Sequence, residues 1–183
     1  MYEIYALKVA EREAESPQFF LLTDYGKKII IAYYFWCLKG NGHTILVDTG
    51  ISPGEIERRK ITAVATREEV LSQIDVRPDD VDTIIVSHLH GDHFAGPEIY
   101  SNATFYIQRK EVEFWSGEVQ RFQSSPPWRG KPGGGILTFQ KFNMAERIRF
   151  LDGDCEIYPG LGTLGWGFHT PGLCRPSAIM GHK

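Results

Sequence analysis

The stretch that decides the fold of this 183-residue chain reads Thr83-Ile84-Ile85-Val86-Ser87-His88-Leu89-His90-Gly91-Asp92-His93. Its first half is a short apolar run that ends abruptly in a histidine-rich loop, a pattern typical of a buried strand that delivers side chains to a site at its carboxyl-terminal edge. Neutral imidazole and carboxylate are ligands that zinc and similar metals prefer. The clustering favours a metal site, because burying these groups without a metal would leave several of them short of hydrogen-bond partners.

The spacing within the loop suits two adjacent metal ions. Residues two apart on an extended segment point to the same side, so His88 and His90 can converge on one ion. Gly91 permits a tight turn, after which Asp92 and His93 can swing toward a second point close to the first. A single helical pair of histidines would instead suit one ion.

A further ligand must come from elsewhere in the chain, and His169 is the natural candidate. It follows a predicted strand and precedes the turn Thr170-Pro171-Gly172, which would hold its direction. His43 lies in a predicted hairpin turn and His182 near the end of the sequence, so we expect neither of them to be a ligand.

Short β-rich runs, turn signals and helical patterns alternate along the chain and predict an α/β fold. The turn signals at 39–43 predict a hairpin, and hence an antiparallel start to the sheet. Thr66 and Glu69 form a capping-box pattern that predicts the start of a helix, and further helical starts are predicted at 78–81 and from Lys110. The remaining predictions are a long loop at 124–135 and strands at 4–9, 29–38, 44–48, 83–87, 104–108, 147–151, 155–158 and 162–168.

Composition excludes several classes of protein. Twenty Lys and Arg against 23 Asp and Glu leave a net charge of −3, which argues against a nucleic-acid partner. We find neither an apolar run long enough to span a membrane nor a secretory signal, and the three cysteines form no C-x-x-C pair. We therefore expect one cytoplasmic domain over residues 1–183, without a membrane or nucleic-acid partner.

Three motifs together resemble the metallo-β-lactamase superfamily, in their usual order. They are the histidine loop 87–93, Leu46-Val47-Asp48-Thr49-Gly50 before it, and His169-Thr170-Pro171-Gly172 after it. The N-terminal Tyr2-Glu3-Ile4-Tyr5-Ala6-Leu7 and the later Tyr34-Phe35-Trp36 are similar to the N-acyl homoserine lactonase group within that superfamily. The resemblance covers about residues 2–172. It implies an α/β fold of the metallo-β-lactamase-like αββα sandwich type and a dinuclear zinc hydrolase.

The resemblance also implies which residues would hold zinc. His88, His90 and His169 would hold the first ion, while Asp92 and His93 would hold part of the second.

The implied reaction is that of a quorum-quenching lactonase. A metal-bound hydroxide would open an N-acyl homoserine lactone or a similar ester. Asp92 would be the catalytic residue that positions this nucleophile and passes a proton to the leaving oxygen. Asp48 would orient the histidine loop from behind, as metal-bound histidines usually require.

Beyond Gly172 the chain departs from the family pattern. Family members continue with another strand, an aspartate that bridges the two metals, further helices and a last histidine, whereas Pro176 here stands where a central strand should pair. We expect a sandwich truncated in its second half, which exposes apolar sheet surface and leaves the ligand set of the second zinc ion incomplete, so that one of the two ions can be lost. This exposure predicts poor solubility or a homodimer. The alternatives are a glyoxalase II-like thioester hydrolase and a non-catalytic, truncated metal-binding remnant.

Overall fold

The fold is taken from a computed structural model, which describes residues 1–20, 24–116, 146–165, 167 and 169–178. The α-helices are α1 (Pro53–Arg59), α2 (Arg67–Ser72) and α3 (Arg109–Ser116). Short 3-10 helices lie at Ser16–Gln18, Pro78–Asp80 and Pro97–Ile99. The strands are β1 (Glu3–Glu15), β2 (Lys28–Gly40), β3 (His43–Val47), β4 (Thr62–Ala63), β5 (Thr83–Val86), β6 (Thr104–Gln108), β7 (Ile148–Leu151), β8 (Cys155–Tyr158), β9 (Leu161–Gly165) and β10 (Cys174–Ala178).

The strands form two sheets. The larger has the order β4-β1-β2-β3-β5-β6-β7, and the smaller has the order β10-β9-β8. Strands β1, β2 and β3 pair antiparallel, as the hairpin signal predicts, whereas β3, β5, β6 and β7 pair in parallel. The carboxyl ends of the parallel strands therefore lie side by side at one edge of the larger sheet.

Alternating side chains of the larger sheet belong to two different cores. Leu46 and Ile84 pack in the core that contains residues of all three α-helices. Their neighbours Ile45 and Ile85 point the opposite way and pack with Leu161 of β9. The helices therefore cover one face of the larger sheet and the smaller sheet covers part of the other, which confirms the predicted α/β sandwich.

The structure contains elements that the sequence analysis did not predict, namely helix α1 and strands β4 and β10, and β1 extends beyond the expected 4–9. Helix α1 falls in a polar stretch for which no element was predicted, and it begins where Ser52 Oγ accepts a hydrogen bond from the Glu55 amide at 3.2 Å. None of its residues is buried, so no apolar periodicity marks it. Pro176 is accommodated in β10, because β10 is an edge strand of the smaller sheet, where a missing N–H needs no partner.

Two further expectations concern the surface and the long loop. Tyr34 and Trp36 of β2 are 41% and 45% exposed, so apolar sheet surface does face solvent, as expected. The predicted loop at 124–135 lies outside the described residues. Within the described residues, none of the helices combines the length and the apolar character needed to span a membrane.

We predict that Ile84→Ala lowers the free energy of unfolding by about 2–5 kcal/mol, because it empties a fully buried position in the central strand that precedes the histidine loop. Ile30→Ala is the matched control, since Ile30 is 61% exposed, and it should cost less than about 0.5 kcal/mol. Denaturant unfolding measures both. Equal losses for the two variants would contradict the assignment of Ile84 to the core.

Candidate metal site

The candidate site begins where β3 and β5 end side by side. Asp48 follows β3 directly, is 5% exposed and has a left-handed backbone with φ of 64°. Its carboxylate accepts hydrogen bonds from the Ser87 amide and from Ser87 Oγ, both at 2.8 Å. Asp48 thereby joins the end of β3 to the start of the histidine loop.

The structure brings His88, His90 and His169 together. One nitrogen of each imidazole lies within 4.8 Å of the other two. His90 Nδ1 lies 3.0 Å from His88 Nε2 and 2.9 Å from His169 Nε2. His88 is buried, His90 is half-buried and His169 is exposed, so the cluster opens toward solvent on the side of His169.

Asp92 and His93 lie beside this cluster and outside the group of three nitrogens. The ring centroid of His93 is 4.1 Å from that of His88, and His93 Nδ1 donates to Asp48 Oδ2 at 2.8 Å. That bond leaves Nε2 of His93 directed away from Asp48, and Asp92 Oδ2 lies 4.0 Å from it. The same carboxylate is 4.0 Å from the guanidinium of Arg59 on α1.

Burial and neighbouring charges set the protonation of these histidines. Burial lowers the pKa of His88 to about 2, and burial together with the charge of His169 lowers that of His90 to about 4. Burial also works against protonation of His93, but the hydrogen bond and charge of Asp48 outweigh it and raise its pKa. At neutral pH His88 and His90 are therefore neutral, which is the form of imidazole that binds metals.

Sequence reasoning missed Glu111, which contacts both loops that carry the histidines. This side chain of α3 is fully buried, and its carboxylate accepts hydrogen bonds from the Leu89 amide at 2.9 Å and from Thr170 Oγ1 at 2.6 Å. A glutamate in the first turn of a predicted helix is ordinarily exposed, so only its position after the parallel strand β6 could have indicated the site.

The turn after His169 is packed tightly against the same helix. The Leu173 amide donates to the Thr170 carbonyl at 3.1 Å, which closes the turn predicted from the sequence. A Cβ atom at Gly172 would collide with the backbone nitrogen of Glu111, so only glycine allows this approach. The Cys174 amide then donates to the Ser87 carbonyl at 3.1 Å and ties β10 to the histidine loop.

Of the two remaining histidines, only His43 lies in the part of the chain that the structure describes, and it stands apart from this cluster. His43 Nδ1 lies 3.2 Å from Asp82 Oδ1 and its ring stacks on Tyr158, whereas His182 lies outside the described residues. The arrangement offers three imidazole nitrogens, two of them from neutral rings, with two further candidate ligands next to them. This donor set suits zinc, which proteins bind through histidine and carboxylate.

Comparison with known proteins agrees with this geometry. The family model described as the metallo-beta-lactamase superfamily matches residues 30–174. An N-acyl homoserine lactonase of Bacillus thuringiensis is 26% identical over 161 residues, which are 80% of this chain and 58% of the relative. An N-acyl homoserine lactonase of Bacillus cereus is 29% identical over 153 residues, which are 75% of this chain and 55% of the relative. The chain thus spans little more than half the length of these relatives.

Solved structures share the fold. AidC, described as a dizinc quorum-quenching lactonase in complex with a product, superposes with a TM-score of 0.78 at 19% identity. The superposition covers 100% of this chain and 69% of the AidC chain. An N-acyl homoserine lactone hydrolase with N-hexanoyl-L-homoserine at its catalytic metal centre has a TM-score of 0.71 at 22% identity, and covers 94% of this chain and 68% of its own. From its motifs, its fold and the match over residues 30–174, the chain belongs to the metallo-beta-lactamase superfamily.

Proposed function

We propose that this chain is a zinc-dependent hydrolase of the lactonase type, which opens N-acyl homoserine lactones or similar small esters. One observation carries the proposal: nitrogens of His88, His90 and His169 converge within 4.8 Å at the carboxyl edge of the parallel strands. The names of the Bacillus relatives support the lactone as substrate class.

Three histidines would hold the first zinc ion. His88 and His90 need not lose a proton before binding it, because their pKa values lie well below neutrality. A bound zinc ion supplies a water of lowered pKa and polarises the carbonyl of the substrate. His169 is exposed, so the substrate would approach from its side of the cluster.

Asp92 and His93 would hold part of a second ion. The Nδ1–H of His93 donates a hydrogen bond to Asp48, which leaves Nε2 as the nitrogen available to a metal. Asp92 has a partly exposed carboxylate within 4.0 Å of this nitrogen. In ester hydrolysis Asp92 would accept the proton of the attacking water and pass it to the oxygen of the breaking C–O bond.

Zinc binding and hydrolysis should both depend on the three-histidine cluster. We expect about two zinc ions per chain, lactone hydrolysis that a chelator abolishes, and a loss of at least about tenfold in zinc affinity in His169→Ala. His43→Ala is the matched control, since His43 lies in the hairpin strand β3 and contacts Asp82, and it should bind zinc like the unsubstituted chain. Mass spectrometry of the metal-loaded chain counts the zinc ions, a competing chelator measures zinc affinity, and turnover of an acyl-homoserine lactone measures hydrolysis.

The same assay separates the alternatives. Faster turnover of S-acyl glutathione than of the lactone would replace the lactonase with a glyoxalase II-like thioester hydrolase. If the chain binds at most one zinc ion weakly and turns over neither substrate, it is a non-catalytic metal-binding remnant.

The metal-free chain should lose stability in mild acid. Between pH 6.5 and about 4 its unfolded state binds protons at His88 and His90 that the folded state does not bind, so the free energy of unfolding falls as the pH falls. His93 has a raised pKa, and the stability it contributes is fully present below pH 6.5, so it does not oppose this slope.

The His88→Gln variant isolates the contribution of His88. In this variant the free energy of unfolding should change less steeply with pH than in the unsubstituted chain, by up to about 1.4 kcal/mol per pH unit. The titrating carboxylates are common to both proteins, so their contributions to the two slopes cancel. Denaturant unfolding in the presence of a chelator measures both slopes. Identical slopes would contradict the assignment of a buried, neutral imidazole at His88.

A further inference from the structure

Glu111 is a buried carboxylate at which both histidine-bearing loops meet. Its Oε1 accepts hydrogen bonds from the Leu89 amide at 2.9 Å and from Trp115 Nε1 at 2.7 Å, and its Oε2 accepts one from Thr170 Oγ1 at 2.6 Å. The exposed fraction of Glu111 is 0%. Among the described residues, no lysine or arginine forms an ion pair with it.

Two of the three partners of this carboxylate are immediate sequence neighbours of the histidines. Leu89 lies between His88 and His90, and Thr170 follows His169. The two loops are far apart in sequence, since Leu89 is 22 residues and Thr170 is 59 residues from Glu111. Each loop is thus held at one fixed point of α3.

Further contacts keep this arrangement rigid. Trp115 follows Glu111 by one helical turn, and its ring packs edge-on against His90 with centroids 5.5 Å apart. The close approach of Gly172 to the backbone of Glu111 presses the loop of His169 onto the start of α3. Charged acceptors form stronger hydrogen bonds than neutral ones, so the carboxylate suits the task of holding two loops at once.

The geometry points to Glu111 as a positioning residue, which sets the distance between His169 and the His88–His90 pair and thereby the affinity for the metal. Both of its carboxylate oxygens accept hydrogen bonds from protein groups, so it would act through Leu89 and Thr170 and not as a ligand itself. The inference rests on the metal site of the proposed function and adds a residue to it. A purely structural role would predict loss of stability without a specific loss of metal affinity.

Paired substitutions separate the two roles. Glu111→Ala removes both links, whereas Glu111→Gln keeps them, because the amide oxygen can accept from Leu89 and Trp115 while the amide nitrogen donates to Thr170 Oγ1. Thr170→Val cuts only the link to the loop of His169, and Thr170→Ser retains its hydroxyl group. Thr66→Ala serves as the stability control, because Thr66 caps α2 through the Glu69 amide at 3.1 Å and, among the described residues, forms no hydrogen bond with the histidine loops.

The measurement is the affinity of the 183-residue chain for zinc, by competition with a chromophoric chelator, beside the unfolding midpoint of each metal-free variant. We expect Glu111→Ala and Thr170→Val to bind zinc about 10–100-fold more weakly, as is typical when a partner behind the ligands is removed. Glu111→Gln, Thr170→Ser and Thr66→Ala should stay close to the unsubstituted chain. If Glu111→Ala does not fold, the comparison of zinc affinity between Thr170→Val and Thr170→Ser tests the inference instead.

Two results would overturn the inference in different ways. If Thr170→Val binds zinc as tightly as the unsubstituted chain, or if Thr66→Ala loses as much zinc affinity as Thr170→Val, Glu111 does not position the histidines. The proposed metal site itself would still stand. Failure of the unsubstituted chain to bind zinc would overturn the proposed metal site and this inference with it.

Discussion

Parallel hydrogen bonding between β3, β5 and β6 is the constraint on which the site depends. It aligns the carboxyl ends of these strands, so Asp48, the histidine loop and the start of α3 emerge at the same edge of the sheet. Parallel strands need long crossover connections, and here these connections place the helices on one face. The same alternation that buries Ile84 against the helices sends Ile85 toward the smaller sheet. One pairing pattern thus builds the core and positions the site.

Two buried carboxylates hold the histidine loop from different sides. Asp48 binds its beginning through Ser87 and orients His93, while Glu111 binds its middle through Leu89. Among the described residues, neither forms an ion pair with lysine or arginine, and burying an anion is costly unless other charges or hydrogen bonds compensate it. The neutral imidazoles of His88 and His90 add no positive charge. The hydrogen bonds that these carboxylates accept therefore have to compensate their burial.

The face of the larger sheet opposite the helices is covered unevenly. Leu38 of β2 is buried with Ile45 and Ile85 beneath the smaller sheet, but Tyr34 and Trp36, which point to the same side of β2, are 41% and 45% exposed. The two exposed rings lie 6.5 Å apart and form a small aromatic surface. This agrees with the expected exposure of apolar sheet surface, whereas the homodimer expected from it stays a prediction.

The sequence by itself determined the elements and residues whose signals are local. Apolar runs located β5 and β6, the Thr66–Glu69 capping box located α2, and the spacing of His88, His90, Asp92 and His93 indicated a metal site, since each of these patterns is complete within a few residues. Tertiary structure alone decided what depends on distant contacts. Helix α1 has no buried residue, so its sequence shows no apolar periodicity. The contact of His169 with His90 requires both sheets to be in place. Glu111 gains its contacts only when α3 packs between two loops that are far apart along the chain.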